Sequence, residues 1–161
     1  MSITFQQLYT ANQNAGWMSQ PFQCFVLDSR KVQAGQIFIA LTSLSQPEKT
    51  VQFAQIALDE GALAVVSETE LALENSIVVP NVRHLMGGWQ KQFLLATSQV
   101  QPARILAVTG TNGKTTISRL VAELLMLQGQ SCAVMGTTGN GILPNLEASS
   151  HTTLDALHLQ N

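Results

Sequence analysis

One stretch restricts the possible folds more than any other part of the sequence. Residues 104–117 read Arg-Ile-Leu-Ala-Val-Thr-Gly-Thr-Asn-Gly-Lys-Thr-Thr-Ile. The short apolar run at 105–108 is typical of a buried parallel strand. A glycine turn follows it and leads into apolar residues at helical spacing, namely Ile117, Leu120, Val121, Leu124 and Leu125. Strand, glycine turn and helix in this order predict an α/β fold with a phosphate-binding loop at the start of the helix.

The residue types in this loop suit phosphate chemistry. Glycines let the backbone curve closely enough to direct successive N–H groups at phosphate oxygens, and the helix start adds further donors. Lys114 supplies a positive charge for the outer phosphates, and the hydroxyl of Thr115 can join the shell of a Mg²⁺ ion. The plain form of the motif would have its first glycine at position 108, where this chain has Val108. The alternative, a glycine turn that binds nothing, is disfavoured because the lysine would lack a counter-charge.

Composition excludes several classes of protein. The chain has 161 residues, of which 45% are hydrophobic and 11% charged, with a net charge of −2. This hydrophobic content argues against disorder, and the charge argues against a nucleic-acid partner. The sparse charge suggests that more protein covers part of the surface. We expect a cytoplasmic protein without membrane segments, since there is neither a signal-peptide pattern nor a long apolar run. Cys24 and Cys132 are expected to be buried thiols in a reducing compartment.

The order of apolar runs and turns predicts two domains. Strands are expected at 23–28, 37–41, 62–66 and 77–79, and helices at 4–12, 51–60 and 82–96. Residues 97–103 are polar, contain Pro102 and form the expected linker. The later part should hold strands at 105–109 and 131–135, a long loop at 136–150 and a terminal helix. The predicted fold class is therefore a small N-terminal α/β domain (1–100) followed by the start of a P-loop, Rossmann-like ATPase domain (101–161).

Four stretches together resemble the Mur ligase family, the enzymes that extend the peptide of the bacterial cell-wall precursor. They are Gly110–Thr116, Leu27-Asp-Ser-Arg30, Met135-Gly-Thr-Thr-Gly-Asn-Gly141 and Thr152-Thr-Leu-Asp155. The stretch at 27–30 is also similar to the members that add the terminal dipeptide. The stretch at 135–141 points more narrowly to the members that add the third residue. The similarity extends from about residue 25 to the end of the chain and matches the N-terminal third of such enzymes.

The resemblance implies an ATP-dependent amide ligase. In this family ATP phosphorylates the glutamyl carboxylate of UDP-N-acetylmuramoyl-L-alanyl-D-glutamate, and the amine of an incoming amino acid attacks the acyl phosphate. The implied cofactors are ATP and Mg²⁺. Lys114 would be the catalytic residue, and Thr115 would hold the metal. The implied ATP-binding residues are Gly110, Thr111, Asn112, Gly113, Lys114, Thr115 and Thr116.

The same resemblance implies contacts to the precursor. Leu27 and Ser29 would contact its uridine end, while Asp28 and Arg30 hold the turn in shape. Thr152 and Thr153, and with less support His151, would contact its peptide-bearing part. The family usually has a glycine and an Asp-Gly cluster after the strand at 37–41, but this chain has Thr-Ser-Leu-Ser-Gln-Pro-Glu-Lys at 42–49. Hydrogen bonding by Ser43, Ser45 or Gln46 is left open.

Several alternatives stay open at this point. The loop also fits a folylpolyglutamate-type ligase or a P-loop kinase, and the chain could be a non-catalytic module that binds a uridine nucleotide. The incoming amino acid could be diaminopimelate or lysine, and the sequence does not indicate an oligomeric state. We expect the chain to be inactive by itself, because no carboxylate on a later strand completes the Mg²⁺ site.

Overall fold

The computed structural model describes residues 2–10, 15–43, 46–98, 103–148 and 155–157. The chain divides into two compact units. Unit 1 consists of Met1–Gln101 together with Asp155–Asn161, and unit 2 is Pro102–Leu154. The two units are described one after the other.

Unit 1 is built on a four-stranded parallel sheet with the order β1-β2-β3-β4. Its strands are β1 (Phe25–Val26), β2 (Ile37–Ala40), β3 (Ala64–Ser67) and β4 (Ser76–Val78). Its helices are α1 (Phe5–Leu8), α2 (Pro47–Asp59) and α3 (Val82–Thr97), with 3₁₀ turns at Gly16–Ser19 and Ser29–Lys31. Parallel neighbours need crossover connections, and α2 provides the one between β2 and β3. The carboxyl ends of all four strands therefore lie at one edge of the sheet.

Both faces of this sheet are covered, which explains why β2 is a continuous apolar run rather than an alternating one. Ile37 and Ile39 point into an aromatic cluster, and Phe38 and Ala40 point into a second cluster that includes Ala54 and Ala57 of α2. The aromatic cluster contains Phe5, Trp17, Phe22, Phe25, Trp89 and Phe93. The predicted strands and the helices at 51–60 and 82–96 are confirmed within a few residues. The first helix is shorter than the predicted 4–12.

Helix α3 contains two adjacent glycines in its interior, Gly87 and Gly88. A Cβ placed on Gly87 would lie 3.3 Å from the Cβ of Ala156, whereas one on Gly88 would meet nothing within 4 Å. Leu157, next to Ala156, is 4% exposed and belongs to the aromatic cluster. Close packing against the helix is therefore present at Gly87. It is made by the short segment 155–157.

Unit 2 contains helix α4 (Lys114–Leu127) and an antiparallel sheet with the order β5-β6-β7. The strands are β5 (Ala133–Gly136), β6 (Gly139–Ile142) and β7 (Asn145–Glu147). The prediction of a loop over 136–150 is wrong for Gly136, 139–142 and 145–147, which belong to strands. The glycines that suggested a loop lie instead where two strands approach closely, since a Cβ on Gly139 would lie 2.7 Å from the carbonyl oxygen of Glu147. Gly141 has the same relation to the carbonyl oxygen of Asn145.

The strand predicted at 105–109 is also wrong. Residues 103–109 belong to no strand, and the side chains of Ile105 and Leu106 are 89% and 66% exposed. An apolar run becomes a buried strand only where neighbouring strands pair with it, and in the described part of the chain none does. In the part of the chain that the structure describes, no helix is both long and apolar enough to cross a membrane.

Candidate functional site

The predicted phosphate-binding loop is formed by Gly110–Gly113 and the first turn of α4. Gly110 has a φ of +147° and Gly113, the residue before the helix, has a φ of +77°. These backbone conformations are rare for residues with a side chain, so both positions require glycine in this conformation. The space around Gly113 is open, since a Cβ there would meet only the Ile117 side chain, at 3.8 Å.

Lys114 is held at the mouth of the loop. Its Nζ donates to the carbonyl oxygen of Gly110 at 2.6 Å and to that of Thr111 at 3.2 Å. Lys114 is the first residue of α4, and its side chain folds back over the preceding turn. Two carbonyls of the loop keep the ammonium group beside the N–H groups that open the helix.

The donors in this loop fit a phosphate-bearing ligand. Within the described residues, the N–H groups of Lys114, Thr115 and Thr116 donate to no protein acceptor, as expected for the first turn of a helix. The positive end of the helix dipole lies at the same place. Thr115 offers a half-buried hydroxyl to a metal ion. No group of three or more His, Cys, Asp or Glu side chains suited to a metal exists in the part of the chain that the structure describes.

In unit 1, Asp28 and Arg30 hold the turn after β1 in shape, as the sequence suggested. The Asp28 carboxylate accepts hydrogen bonds from Nε of Arg30 at 2.9 Å and from Nη2 at 2.8 Å, and it also accepts from the Arg30 backbone N–H. The guanidinium hydrogen bond lowers the pKa of Asp28 from 3.8 to about 2. Ser29 is 6% exposed and begins the 3₁₀ turn that these contacts stabilise.

An apolar cleft of about 140 Å³ lies at the carboxyl end of β2. Its walls come from β2, from the residues around it and from α2: Leu27, Phe38, Ile39, Ala40, Leu41, Thr50 and Phe53. This volume is smaller than the roughly 300–1,000 Å³ of a pocket for a drug-sized ligand, so the cleft can enclose only a small group. Ligands of open α/β sheets commonly bind at this edge. Of the residues expected to contact uridine, Leu27 lines the cleft and Ser29 does not.

Sequence reasoning missed the contribution of α2 to this cleft. Phe53 was expected only as part of the helix at 51–60, and Thr50 was assigned to no element, yet Phe53 is 47% exposed and both residues line the cleft. The predicted precursor-contacting residues His151, Thr152 and Thr153 lie outside the described residues. So do Leu44 and Ser45 of the atypical 42–49 stretch.

Comparison with known proteins gives a consistent result for both units. The family model for the Mur ligase middle domain matches residues 108–161, which include the phosphate-binding loop. The UDP-N-acetylmuramoyl-L-alanyl-D-glutamate--2,6-diaminopimelate ligase of Haemophilus influenzae (strain 86-028NP) is 42% identical over 144 residues, which are 84% of this chain and 29% of that protein.

Solved structures agree with the sequence matches. A structure of a UDP-N-acetylmuramoyl-L-alanyl-D-glutamate--2,6-diaminopimelate ligase is 63% identical with a TM-score of 0.88, over 99% of this chain and 32% of that one. A MurF ligase from Thermotoga maritima in complex with ADP is 25% identical with a TM-score of 0.51, over 68% of this chain and 24% of that one. The chain spans about a third of the length of the relatives it matches. By sequence and by fold, the chain belongs to the Mur ligase family and corresponds to the N-terminal part of its relatives.

Proposed function

We propose that this chain forms the nucleotide-binding part of an ATP-dependent ligase that adds the third amino acid to UDP-N-acetylmuramoyl-L-alanyl-D-glutamate. The observation that carries the proposal is the loop in which two glycines with positive φ and two carbonyls hold Lys114 beside the free N–H groups of α4. The relatives are ligases named for 2,6-diaminopimelate, which supports diaminopimelate rather than lysine as the incoming amino acid. The ADP-bound MurF ligase, similar in fold, supports nucleotide binding.

Each residue of the loop has a role in this proposal. The N–H groups from Gly110 to Thr116 bind phosphate oxygens, and the Lys114 ammonium neutralises charge on the outer phosphates. The Thr115 hydroxyl is a ligand for Mg²⁺. When bound, ATP supplies the phosphoryl group that activates a carboxylate, and Mg²⁺ neutralises phosphate charge. The chain's own contribution is to position the triphosphate, which is the larger part of catalysis in such reactions.

Unit 1 binds the uridine end of the precursor in the same proposal. The cleft beside Leu27 accepts the planar base, and the turn at Ser29 lies at the same edge of the sheet. Thr152 and Thr153, with His151, contact the peptide-bearing part. In this proposal unit 1 binds the uridine end of the precursor, whereas unit 2 binds ATP and also supplies these contacts to the peptide-bearing part. Because ATP and a UDP-linked precursor are cytoplasmic metabolites, the proposal implies a cytoplasmic protein.

Isothermal titration of the 161-residue chain with Mg²⁺–ATP and, separately, with UDP tests the proposal. Replacing Lys114 by Met should weaken ATP binding about 10- to 100-fold, since a hydrogen bond to a charged group contributes about 1.5–3 kcal/mol. Arg119→Met is the matched control, because it removes one positive charge from an exposed position of the same helix. ATP binding without UDP binding would favour a folylpolyglutamate-type ligase or a kinase. Equal ATP affinity of the Lys114 and Arg119 variants would refute the role of Lys114.

A further inference from the structure

Three segments that follow strands of unit 1 are joined at the carboxyl edge of its sheet by Arg83. Arg83 lies in the first turn of α3, after β4. Its Nη2 donates to the carbonyl oxygen of Thr42, which follows β2, at 3.1 Å. Its Nε lies 3.8 Å from Oε2 of Glu68, which follows β3.

Further contacts in the same place support this connection. Oε1 of Glu68 accepts a hydrogen bond from the backbone N–H of Arg83 at 3.4 Å, so one carboxylate contacts both the main chain and the side chain of the arginine. The hydroxyl groups of Thr42 and Thr69 lie 3.3 Å apart. A planar guanidinium with donors in a fixed fork can satisfy a carbonyl and a carboxylate at once, which an ammonium group does less well. Thr42 is thus held from two sides.

The position of Thr42 gives these contacts a consequence for the apolar cleft. Ala40 and Leu41, just before Thr42, line the cleft, and so do Thr50 and Phe53 of α2 after it. Thr42 therefore lies in the connection between the two walls. Fixing its carbonyl to Arg83 restricts movement of the end of β2, which forms one wall of the cleft. Arg83 itself is not among the residues that line the cleft.

We propose that Arg83 is a positioning residue for the uridine-binding cleft, acting through the carbonyl of Thr42 and not by contact with the ligand. The inference rests on the proposed function, because it assumes that the cleft accepts the uracil ring. In this arrangement the cleft contacts the uracil ring and not the phosphates. Loss of Arg83 therefore weakens the binding of uridine and of UDP by the same factor.

The test compares the full 161-residue chain with its Arg83→Met variant by NMR titration with uridine and with UDP. We expect both affinities to fall about fivefold, the scale for losing a partly exposed ion pair together with one charged hydrogen bond. Lys91→Met, an exposed charge removal on the same helix, is the control and should leave both affinities unchanged. Arg83→Lys should restore part of the loss. ATP binding at the loop of unit 2 should not change.

The outcomes separate this inference from the function on which it rests. If the wild-type chain does not bind UDP, the proposed function fails and the inference with it. If the wild type binds and Arg83→Met binds uridine equally well, the inference alone is overturned. Weaker binding of UDP with unchanged binding of uridine also overturns it, since Arg83 would then contact phosphate directly. Should Arg83→Met not fold, Glu68→Gln, which keeps the arginine but removes its ion pair, is expected to weaken both ligands equally by a smaller factor.

Discussion

The adjacent glycines of α3 allow a sharp test of how residues 155–157 pack. Gly88 is exposed and a Cβ there meets nothing within 4 Å, whereas a Cβ on Gly87 lies 3.3 Å from the Cβ of Ala156. Leucine at either position removes the intrinsic penalty of glycine in a helix interior, about 0.8 kcal/mol. Gly88→Leu should therefore raise the free energy of unfolding of unit 1 by about that amount. For a domain of about 100 residues this is a rise in Tm of roughly 3–6 °C.

Gly87→Leu should have the opposite effect. The new side chain occupies the place of Ala156, so residues 155–157 must leave the helix and expose Leu157, which is 4% accessible in the native packing. Burying a leucine side chain contributes about 1.5–3 kcal/mol. After subtracting the gain in helix propensity, the variant should lose about 1–2 kcal/mol. The two leucine variants should then differ by about 2–3 kcal/mol, although they have the same composition.

Urea titration followed by tryptophan fluorescence measures this difference. Both tryptophans, Trp17 and Trp89, are buried in the aromatic cluster of unit 1, so the signal reports that unit. Leu157→Ala in each background tests the mechanism, because it should destabilise the Gly88→Leu protein and have little effect on the Gly87→Leu protein. Equal stability of the two leucine variants would refute the reasoning, since it would mean that residues 155–157 do not occupy the surface at Gly87.

Two further predictions concern a strand glycine and a surface ion pair. Gly139→Ala should destabilise unit 2 by more than about 2 kcal/mol, because the residue has a φ of +120° and its Cβ would lie 2.7 Å from the carbonyl oxygen of Glu147. Gly129→Ala, with a φ of +77° but open space around it, should lose only about 1 kcal/mol in the same thermal melts followed by circular dichroism. The Asp28 carboxyl should titrate at about 2 by NMR, and Arg30→Met should return its pKa toward 3.8. Because the folded pKa is lowered, the pair stabilises the fold above pH 3.8 and the contribution is lost as the pH falls toward 2. Stability curves of wild type and Arg30→Met that stay parallel through this window would contradict that sign.

Much of unit 1 could be predicted because its local patterns and its tertiary packing agree. Gly61 has a positive φ and lies two residues after the end of α2, where glycine commonly ends a helix. The run at 37–41 was assigned to a buried strand, and both faces of β2 are covered. The glycine turn before α4 was predictable for a similar reason, since glycine spacing and the lysine at the helix start are properties of consecutive residues. Such features need no knowledge of distant contacts.

The features that the sequence did not reveal all depend on distant partners. The glycine-rich stretch at 139–147 forms strands because the backbone of β7 approaches Gly139 and Gly141 closely, and a glycine pattern alone favours a loop equally well. The apolar cleft needs both the end of β2 and Phe53 of α2, which lie in different elements. The contact from Arg83 to Thr42 joins residues after two different strands, and no sequence spacing indicates it.

Helix α4 shows most clearly what apolar periodicity does and does not determine. The stripe that predicted the helix includes Ile117, Leu120 and Leu124, each about half exposed in unit 2. The side that packs on β5 and the following strands instead carries Ala122 and Met126. A helix that is apolar on opposite sides has the pattern of a helix that packs against protein on both of them. The pattern therefore specified a helix without specifying which side the sheet would cover. The same reasoning applies to residues 105–108. Their apolar character indicates that burial would stabilise the segment, but only pairing with neighbouring strands buries it as a strand.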